Sequence, residues 1–392
     1  MNTAINIDPG KLRRIALESQ GLLRSSPFGR GKNSCLKAIE HIGYVQIDTI
    51  SVVERAHHHV LYSRLPNYRA SFLDQLVKER KLFEYWSHAA AWLPMRDFRF
   101  ALPRMNNVHG DRAWFAQCDP KLTRNILKRI KHEGPLRARD FEDDRVGTKE
   151  WWDWKPAKQA LEQLFMDGEL MVTRREGFQK VYDLPENVLP DWVDTRAPSI
   201  DEYANHLVDS SLRAHGLMSA RSVSYLRKGP TLRKAVSEEI DRRVNEQTLI
   251  SLSTGRDQLY YLEPWRLDQR APVSMKRVRI LSPFDNAVIQ RDRLQDLFKF
   301  NYQIECYVPG PKRQYGYFCL PLLYRDQLVG RIDCKAYRKE LRLHIISLSL
   351  EIKQDDEFYR ALYSELKNFS TFNNCEEISA TDPELLRRLE AN

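Results

Sequence analysis

The spacing of apolar residues predicts an α+β chain, in which three tandem groups of helices each close on a strand or strand pair and a small antiparallel β-barrel follows. Three observations carry this. Capped helix-period stretches alternate with strand-like runs up to Pro264; charged, glycine-containing turns join the strand pairs of the second and third groups; and beyond Pro264 short strand-like runs joined by tight turns replace the helices. With 392 residues, 42% of them hydrophobic and 29% charged, the chain is long enough for two to four compact units and has an ordinary globular composition.

The first group begins with a helix over 11–23, capped by Asp8 with Pro9 in its first turn. A basic loop over 25–32 leads to a second helix in which Leu36, Ile39 and Ile42 share a face and Gly43 ends the run. A strand over 44–50, a helix over 71–81 and a strand over 82–86 follow. This order is compatible with a winged-helix (helix-turn-helix) unit. In the second group, helices over 121–132, 137–142 and 155–167 precede strands over 169–173 and 178–184. The turn Arg174-Arg175-Glu176-Gly177 puts two arginines at the hairpin tip, and 155–167 takes the recognition-helix position. The third group repeats the plan with a helix from the cap Ser199 to Gly216, helices over 219–227 and 232–247, and strands over 249–253 and 258–262 around Thr254-Gly255-Arg256-Asp257. Barrel strands are expected over 277–281, 303–308, 314–324, 327–337 and 340–346. An amphipathic helix over 355–372 closes the fold, and the acidic residues from Glu376 on are expected to be loose. The expected domains are 1–118, 119–198, 199–264 and 265–392.

Lys and Arg number 62 against 53 Asp and Glu, a formal charge of +9 that suits a polyanion, nucleic acid first. The six cysteines are scattered without a C-x-x-C pair, so neither a zinc ribbon nor a disulfide framework is expected. No signal-peptide core or membrane-length apolar run is seen, and a cytoplasmic protein without a membrane anchor is expected.

In Tyr44-Val45-Gln46-Ile47-Asp48-Thr49-Ile50, strand alternation places Gln46 and Asp48 side by side on the polar face, about 7 Å apart. An amide that orients a water beside a carboxylate that faces a cation is a hydrolytic pair; the plainer alternative is a half-buried strand with a polar outer face. His57, His58 and His59 are consecutive and point in different directions, with no matched acidic or cysteine spacing, so packing or DNA contact is favoured over a metal. His88 follows the aromatic Glu84-Tyr85-Trp86 and reads as a packed histidine or as one lining a site. Trp151-Trp152-Asp153-Trp154-Lys155-Pro156 is an aromatic cluster of the kind that packs the start of a helix. Pro311-Lys312-Arg313-Gln314-Tyr315-Gly316-Tyr317, basic and aromatic, suits a hairpin inserted into a DNA groove or a solvated one.

Several segments together resemble one family, the YcaQ/AlkZ-type DNA glycosylases: Val45 to Ile50, Phe83-Glu84-Tyr85-Trp86-Ser87-His88, Trp151 to Pro156, Phe178-Gln179-Lys180-Val181-Tyr182-Asp183-Leu184, Leu281-Ser282-Pro283-Phe284-Asp285, Pro311 to Tyr317, and Leu328-Val329-Gly330-Arg331-Ile332-Asp333. They recur in order over nearly the whole chain. The family signature is Gln, an apolar residue, then Gln or Asp, present as Gln46, Ile47 and Asp48. Relatives often carry an acidic residue after the histidine, where this chain has Ala89.

The resemblance implies three winged helices and a barrel arranged as a C around DNA, and an enzyme that hydrolyses the N-glycosidic bond of N7-alkylated purines and unhooks interstrand crosslinks. Asp48 would then stabilise the sugar cation and Gln46 position the water, with no cofactor and no metal. The signature contains no lysine to form a Schiff base, so a monofunctional glycosylase is expected. The DNA-binding candidates are His88, Arg174, Arg175, Lys180, Lys312, Arg313, Gln314 and Tyr315. The expected partner is double-stranded DNA with alkylated or crosslinked purines, bound by a monomer. The competing class is a winged-helix transcriptional regulator that binds DNA and does no chemistry; a metal-dependent nuclease stands third, without an acidic cluster for two metals.

Overall fold

The computed structural model describes residues 4–106, 118–141, 156–227, 229–255, 258–269 and 276–391. The fold is α+β; the described residues form three separate three-stranded sheets, each beside its own helices, and one five-stranded sheet. Among the described residues no helix is long and apolar enough to cross a membrane.

The first group packs helices Lys32–Ile42, Ala56–Tyr62 and Ala70–Lys78 on a sheet ordered Val45–Gln46, Ala90–Pro94, Leu82–Trp86. Lys32–Ile42 stops at Gly43, whose φ of 84° lets the chain turn back at once into Val45–Gln46. The second group sets Pro120–Glu133 and Pro156–Met166 against Leu136–Arg137, Gln179–Asp183 and Met171–Glu176. In place of the helix expected over 137–142, Arg137 enters the ladder opposite Val181, and the Asp140 carboxylate accepts from the Arg137 backbone and guanidinium, closing a single 3-10 turn, Ala138–Asp140. The two arginines expected at the hairpin tip lie inside strand Met171–Glu176, opposite Val181 and Lys180, and Gly177 and Phe178 make the turn. The cluster at 151–155 lies outside the described residues, as do Arg256 and Asp257.

The third group, Ile200–His215, Ala220–Val223 and Pro230–Asn245, has a reciprocal Ser199–Glu202 capping box. Its sheet takes a strand that the sequence does not announce: Ile5–Asn6 pairs in parallel with Ile250–Ser253, which pairs with Leu259–Leu262. Helix Pro9–Ser19 follows it there, burying Leu12, Ile15 and Leu17 with Leu252, Tyr260 and Phe300. Gly216, at φ 71°, ends helix Ile200–His215 against Ser19, where a Cβ would overlap the serine hydroxyl.

The last sheet runs Val278–Ile280, Cys319–Tyr324, Gln327–Tyr337, Arg342–Leu350, Glu377–Ala380. It is curled but open, a half-barrel rather than the closed barrel expected. Its inner face is filled by Phe358, Leu362, Leu366 and Phe369 of helix Asp356–Phe372, all fully buried and each contributing about 1.5–3 kcal/mol by leaving water. The acidic terminus is ordered: Glu377–Ala380 pairs in parallel with Arg342–Leu350, and helix Pro383–Glu390, capped by Asp382, buries Leu389. The strand expected over 303–308 is instead a 3-10 turn, Glu305–Tyr307, because the Glu305 carboxylate is turned inward to serve the next loop.

Candidate active site

The stretch 44–50 is a strand for only two residues. Val45 pairs with Trp92, Gln46 with Ala91, and Ile47 makes the last rung by donating to Ala90 O at 2.8 Å. The chain then leaves the sheet for the half-barrel: Val53 joins its core, Ala336 N donates to Val52 O at 2.9 Å, and Arg338 reaches Ser51 O. Gln46 and Asp48 therefore do not form a ladder on one solvent-facing side. Gln46 is buried at 6% exposure, whereas Asp48, just beyond the rung, is half-buried.

Asp48 Oδ1 accepts from Ile50 N at 2.8 Å, which fixes the carboxylate where the chain turns toward the half-barrel. Burial raises its pKa above the ordinary carboxylate value, while the backbone N–H groups of Ile50 and Thr49 pull the other way. Asp48 has no ion-pair partner among the described residues, and its fixed donors are backbone amides. After burial, its charge is the next upward push on the Cys306 thiol and the Tyr307 phenol, so the 3-10 turn Glu305–Tyr307 itself borders the carboxylate.

Gln46 is held by the histidine that follows the aromatic segment. His88 Nε2 lies 3.1 Å from Gln46 Oε1, its ring packs edge-on to Tyr44 at 5.1 Å, and Tyr225 of the third group stands at 5.8 Å. Burial, and then the charge of Arg227, lower the His88 pKa to about 4, so at neutral pH the ring is uncharged. With the amide oxygen assigned toward it, Nε2–H is the donor and the Gln46 NH2 group is left for another acceptor. Tyr225 and Arg227 carry no motif signal in the sequence, because only the fold brings the third group to His88.

Residues 39–372 match the family model described as "AlkZ-like: DNA glycosylase AlkZ-like". The chain belongs to the AlkZ-like DNA glycosylase family. Among solved structures it is similar to the Streptomyces sahachiroi DNA glycosylase AlkZ, with TM-score 0.64 and 12% identity over 96% of this chain and 99% of that one, a likeness of fold. As a member of that family, this protein is a DNA glycosylase of DNA repair, and DNA is its partner.

The family segments outside the signature mostly build the scaffold of the glycosylase. Glu84 is buried, and both its oxygens are bound at 2.7 Å by Arg175, which also donates to Phe178 O. Lys180 binds Glu162 at 2.7 Å and lies 3.9 Å from Glu84. Arg175 and Lys180, expected as phosphate contacts, are thus paired inside the molecule: Arg175 with Glu84 fastens the second group to the first, while Lys180 with Glu162 braces the second. Arg174 is half exposed and pairs only with Glu176 among the described residues. Phe178 adopts the left-handed conformation at φ 71° with the Arg55 and Arg175 guanidiniums 4.5 and 4.4 Å from its ring centre. Asp285 forms a fully buried bidentate pair with Arg64 at 2.7 and 2.8 Å, an interaction with no advance signal from Arg64.

The segment 311–317 is not a strand hairpin. It is a loop gathered onto two carboxylates: Glu305 accepts from Gln314 N, Tyr315 N and Gly316 N at 2.8–3.0 Å, and Asp333 from Tyr317 N at 2.7 Å. Gly316 lies so close to Asp333 that a Cβ would overlap the carboxylate. Arg313 Nε donates to Glu305 O and Val308 O, and the Tyr315 ring lies 3.9 Å from the Arg331 guanidinium. Lys312 and Gln314 are exposed, Lys312 without an ion pair among the described residues. His57 and His59 are buried, His59 bonding Ile280 O at 2.8 Å and His58 the Tyr68 hydroxyl at 2.8 Å. Among the described residues no three His, Cys, Asp or Glu side chains gather as metal ligands.

Proposed function

We propose that this glycosylase hydrolyses the bond between deoxyribose and an N7-alkylated purine, in monoadducts and in interstrand crosslinks, without a lyase step. The observation that carries this reading is the half-buried, cation-free Asp48 beside a Gln46 oriented by neutral His88. Alkylation at N7 makes the purine cationic, so the C1′–N9 bond breaks with its electron pair moving onto the base and cancelling that charge. Positive charge then grows on the sugar, where the ionised Asp48 carboxylate lowers the barrier. Gln46 donates an N–H to one lone pair of the attacking water, leaving the water's protons free for Asp48. Oxygen bonds to C1′, the proton is lost through Asp48 to solvent, and an abasic site and a neutral base remain. The signature supplies no amine for a Schiff base. An open approach from the groove suits a base tethered to the opposite strand, which cannot swing out.

In this reading the first three groups are winged helices, and the whole acts as a monomer in the cytoplasm. Lys312 and Gln314 on the loop beside Asp48 enter the groove, and the half-exposed Arg174 touches phosphate. The test is duplex DNA with one N7-methylguanine or one N7–N7 crosslink, incubated with wild type and Asp48→Asn and then treated with alkali. Abasic-site cleavage by wild type, lost in the variant with duplex affinity unchanged, supports the reading. Binding without abasic sites on either substrate returns the chain to the DNA-binding regulators.

A further inference from the structure

Three exposed tyrosines stand on the loop beside Asp48, and one of them has no stacking partner. The Tyr315 ring is covered by the Arg331 guanidinium at 3.9 Å and the Tyr317 ring by that of Arg313 at 4.9 Å. Tyr307 is 70% exposed, and its side chain has no ring, cation or hydrogen-bond partner among the described residues. Single exposed aromatics are ordinary on a protein surface; this one is distinguished by how firmly it is held and by what it stands beside.

Its pedestal is the 3-10 turn Glu305–Tyr307. Val308 N donates to Glu305 O at 2.9 Å, and Arg313 Nε donates to both Glu305 O and Val308 O, so the backbone on either side of Tyr307 is tied to one guanidinium. The buried Glu305 carboxylate gathers the amides of Gln314, Tyr315 and Gly316 around the same point. The turn and the Asp48 segment share a foundation. Cys306, Ile50 and Val52 all pack against the half-barrel core. Strand Gln327–Tyr337 holds Tyr317 N through the Asp333 carboxylate and Val52 O through Ala336 N, three residues further on, or roughly 10 Å along a strand. Burial raises the Tyr307 phenol pKa and the Asp48 charge raises it further, in keeping with that proximity.

The face of an aromatic ring is the negative part of its quadrupole, and beside a carboxylate it favours a planar cation. An N7-alkylated purine is such a cation; an undamaged purine is not. We propose that Tyr307 stacks on the alkylated purine and makes the enzyme select the charged base over neutral ones. The inference rests on the glycosylase reading above, which puts the sugar at Asp48 and hence its base beside the Tyr307 turn. An exposed ring needs no enclosing pocket, so it meets a monoadduct and a crosslinked purine alike. The base loses its charge as the C1′–N9 bond breaks, so the attraction weakens toward the transition state. Tyr307 is therefore a recognition residue, felt in binding and not in the chemical step.

The test uses duplexes with one 7-methylguanine for single-turnover excision. For binding it uses a 2′-fluorinated 7-methylguanine, which resists cleavage, and its neutral isostere 7-methyl-7-deazaguanine on the same sugar. Tyr307→Ala, and Tyr307→Leu, which keeps bulk without a π face, are expected to raise the half-saturating concentration about fivefold, the worth of one cation–π contact, with the plateau rate within twofold of wild type. Tyr307→Phe keeps the ring and should stay within twofold in both. Wild type should bind the cationic duplex more tightly than the neutral one, and the two variants without a ring should lose about fivefold of that preference. The inference is overturned if those variants keep the wild-type preference, if they weaken cationic and neutral duplexes equally, or if they lower the plateau rate with half-saturation unchanged. A wild type that excises nothing would refute the glycosylase chemistry, and the preference for the cationic duplex would still judge Tyr307.

Discussion

Replacing Asp48 by Asn should separate catalysis from stability. In a half-buried setting an effective dielectric near 20 applies, and opposite unit charges about 4 Å apart then gain about 4 kcal/mol. Asn keeps the shape and an acceptor for Ile50 N but retains only a dipole, so most of that stabilisation of the sugar cation is lost, on the order of 10²–10³-fold in single-turnover rate. Stability should move oppositely. The folded-state pKa of Asp48 lies above its unfolded value, so its contribution is most favourable below the unfolded pKa and is lost as pH rises through the folded one. At pH 7 the wild type therefore carries a desolvated charge that the variant lacks. Asp48→Asn should melt at or above the wild-type temperature at pH 7, and the difference should shrink toward pH 4. For the same reason wild-type activity should fall on acidification with a midpoint above the ordinary aspartate value. Excision within tenfold of wild type, or a neutral-pH melting temperature several degrees lower, would refute the reasoning.

Three further outcomes follow from the geometry. Arg64→Leu strands the buried Asp285 carboxylate and should cost about 3–5 kcal/mol in denaturant titration, with much of it recovered in Arg64→Leu/Asp285→Leu; equal losses in the single and double variants would mean that the pair is not what holds these segments. His88→Phe removes the donor to Gln46 and should lower kcat by about tenfold, the worth of one hydrogen bond, with KM for DNA unchanged. His88→Asn should restore part of the loss, and because His88 is already neutral, its titration should leave no inflection in wild-type activity between pH 6 and 8. Glu305→Ala strips three backbone donors of their acceptor, so the amides of Gln314, Tyr315 and Gly316 should exchange with solvent much faster, measured by hydrogen exchange, while the core of Asp356–Phe372 keeps its protection.

Where local physics decided the outcome, the fold could be read from the sequence. Ser199 and Glu202 cap a helix reciprocally, Gly43 and Gly216 end helices in the left-handed conformation, and the alternating run 327–337 is a strand over its whole length. Misreadings fell where a distant partner overrides the local pattern. The run 303–308 alternates like a strand, but buried Glu305 is claimed by three amides nine to eleven residues on. The acidic tail, polar enough to read as loose, is ordered because Arg342–Leu350 offers an unpaired edge to Glu377–Ala380. Ile5–Asn6, too short to carry a period, is a strand because Ile250–Ser253 is there to receive it.

The same distinction separates the site from its scaffold. Gln46 and Asp48 stand two apart in the sequence, so their association was legible; what each faces depends on elements 40 to 260 residues away. His88 orients the amide, Tyr307 borders the carboxylate, and Tyr225 closes the far side. Net charge does not tell which cations are free: Arg175 and Lys180, read from the sequence as phosphate contacts, are matched to Glu84 and Glu162 inside the molecule, as Arg64 is to Asp285. A cation already held by a buried carboxylate gains little from a phosphate, since the carboxylate would be left desolvated and alone. On the proposed reading, the electrostatic term for DNA comes instead from exposed cations such as Lys312.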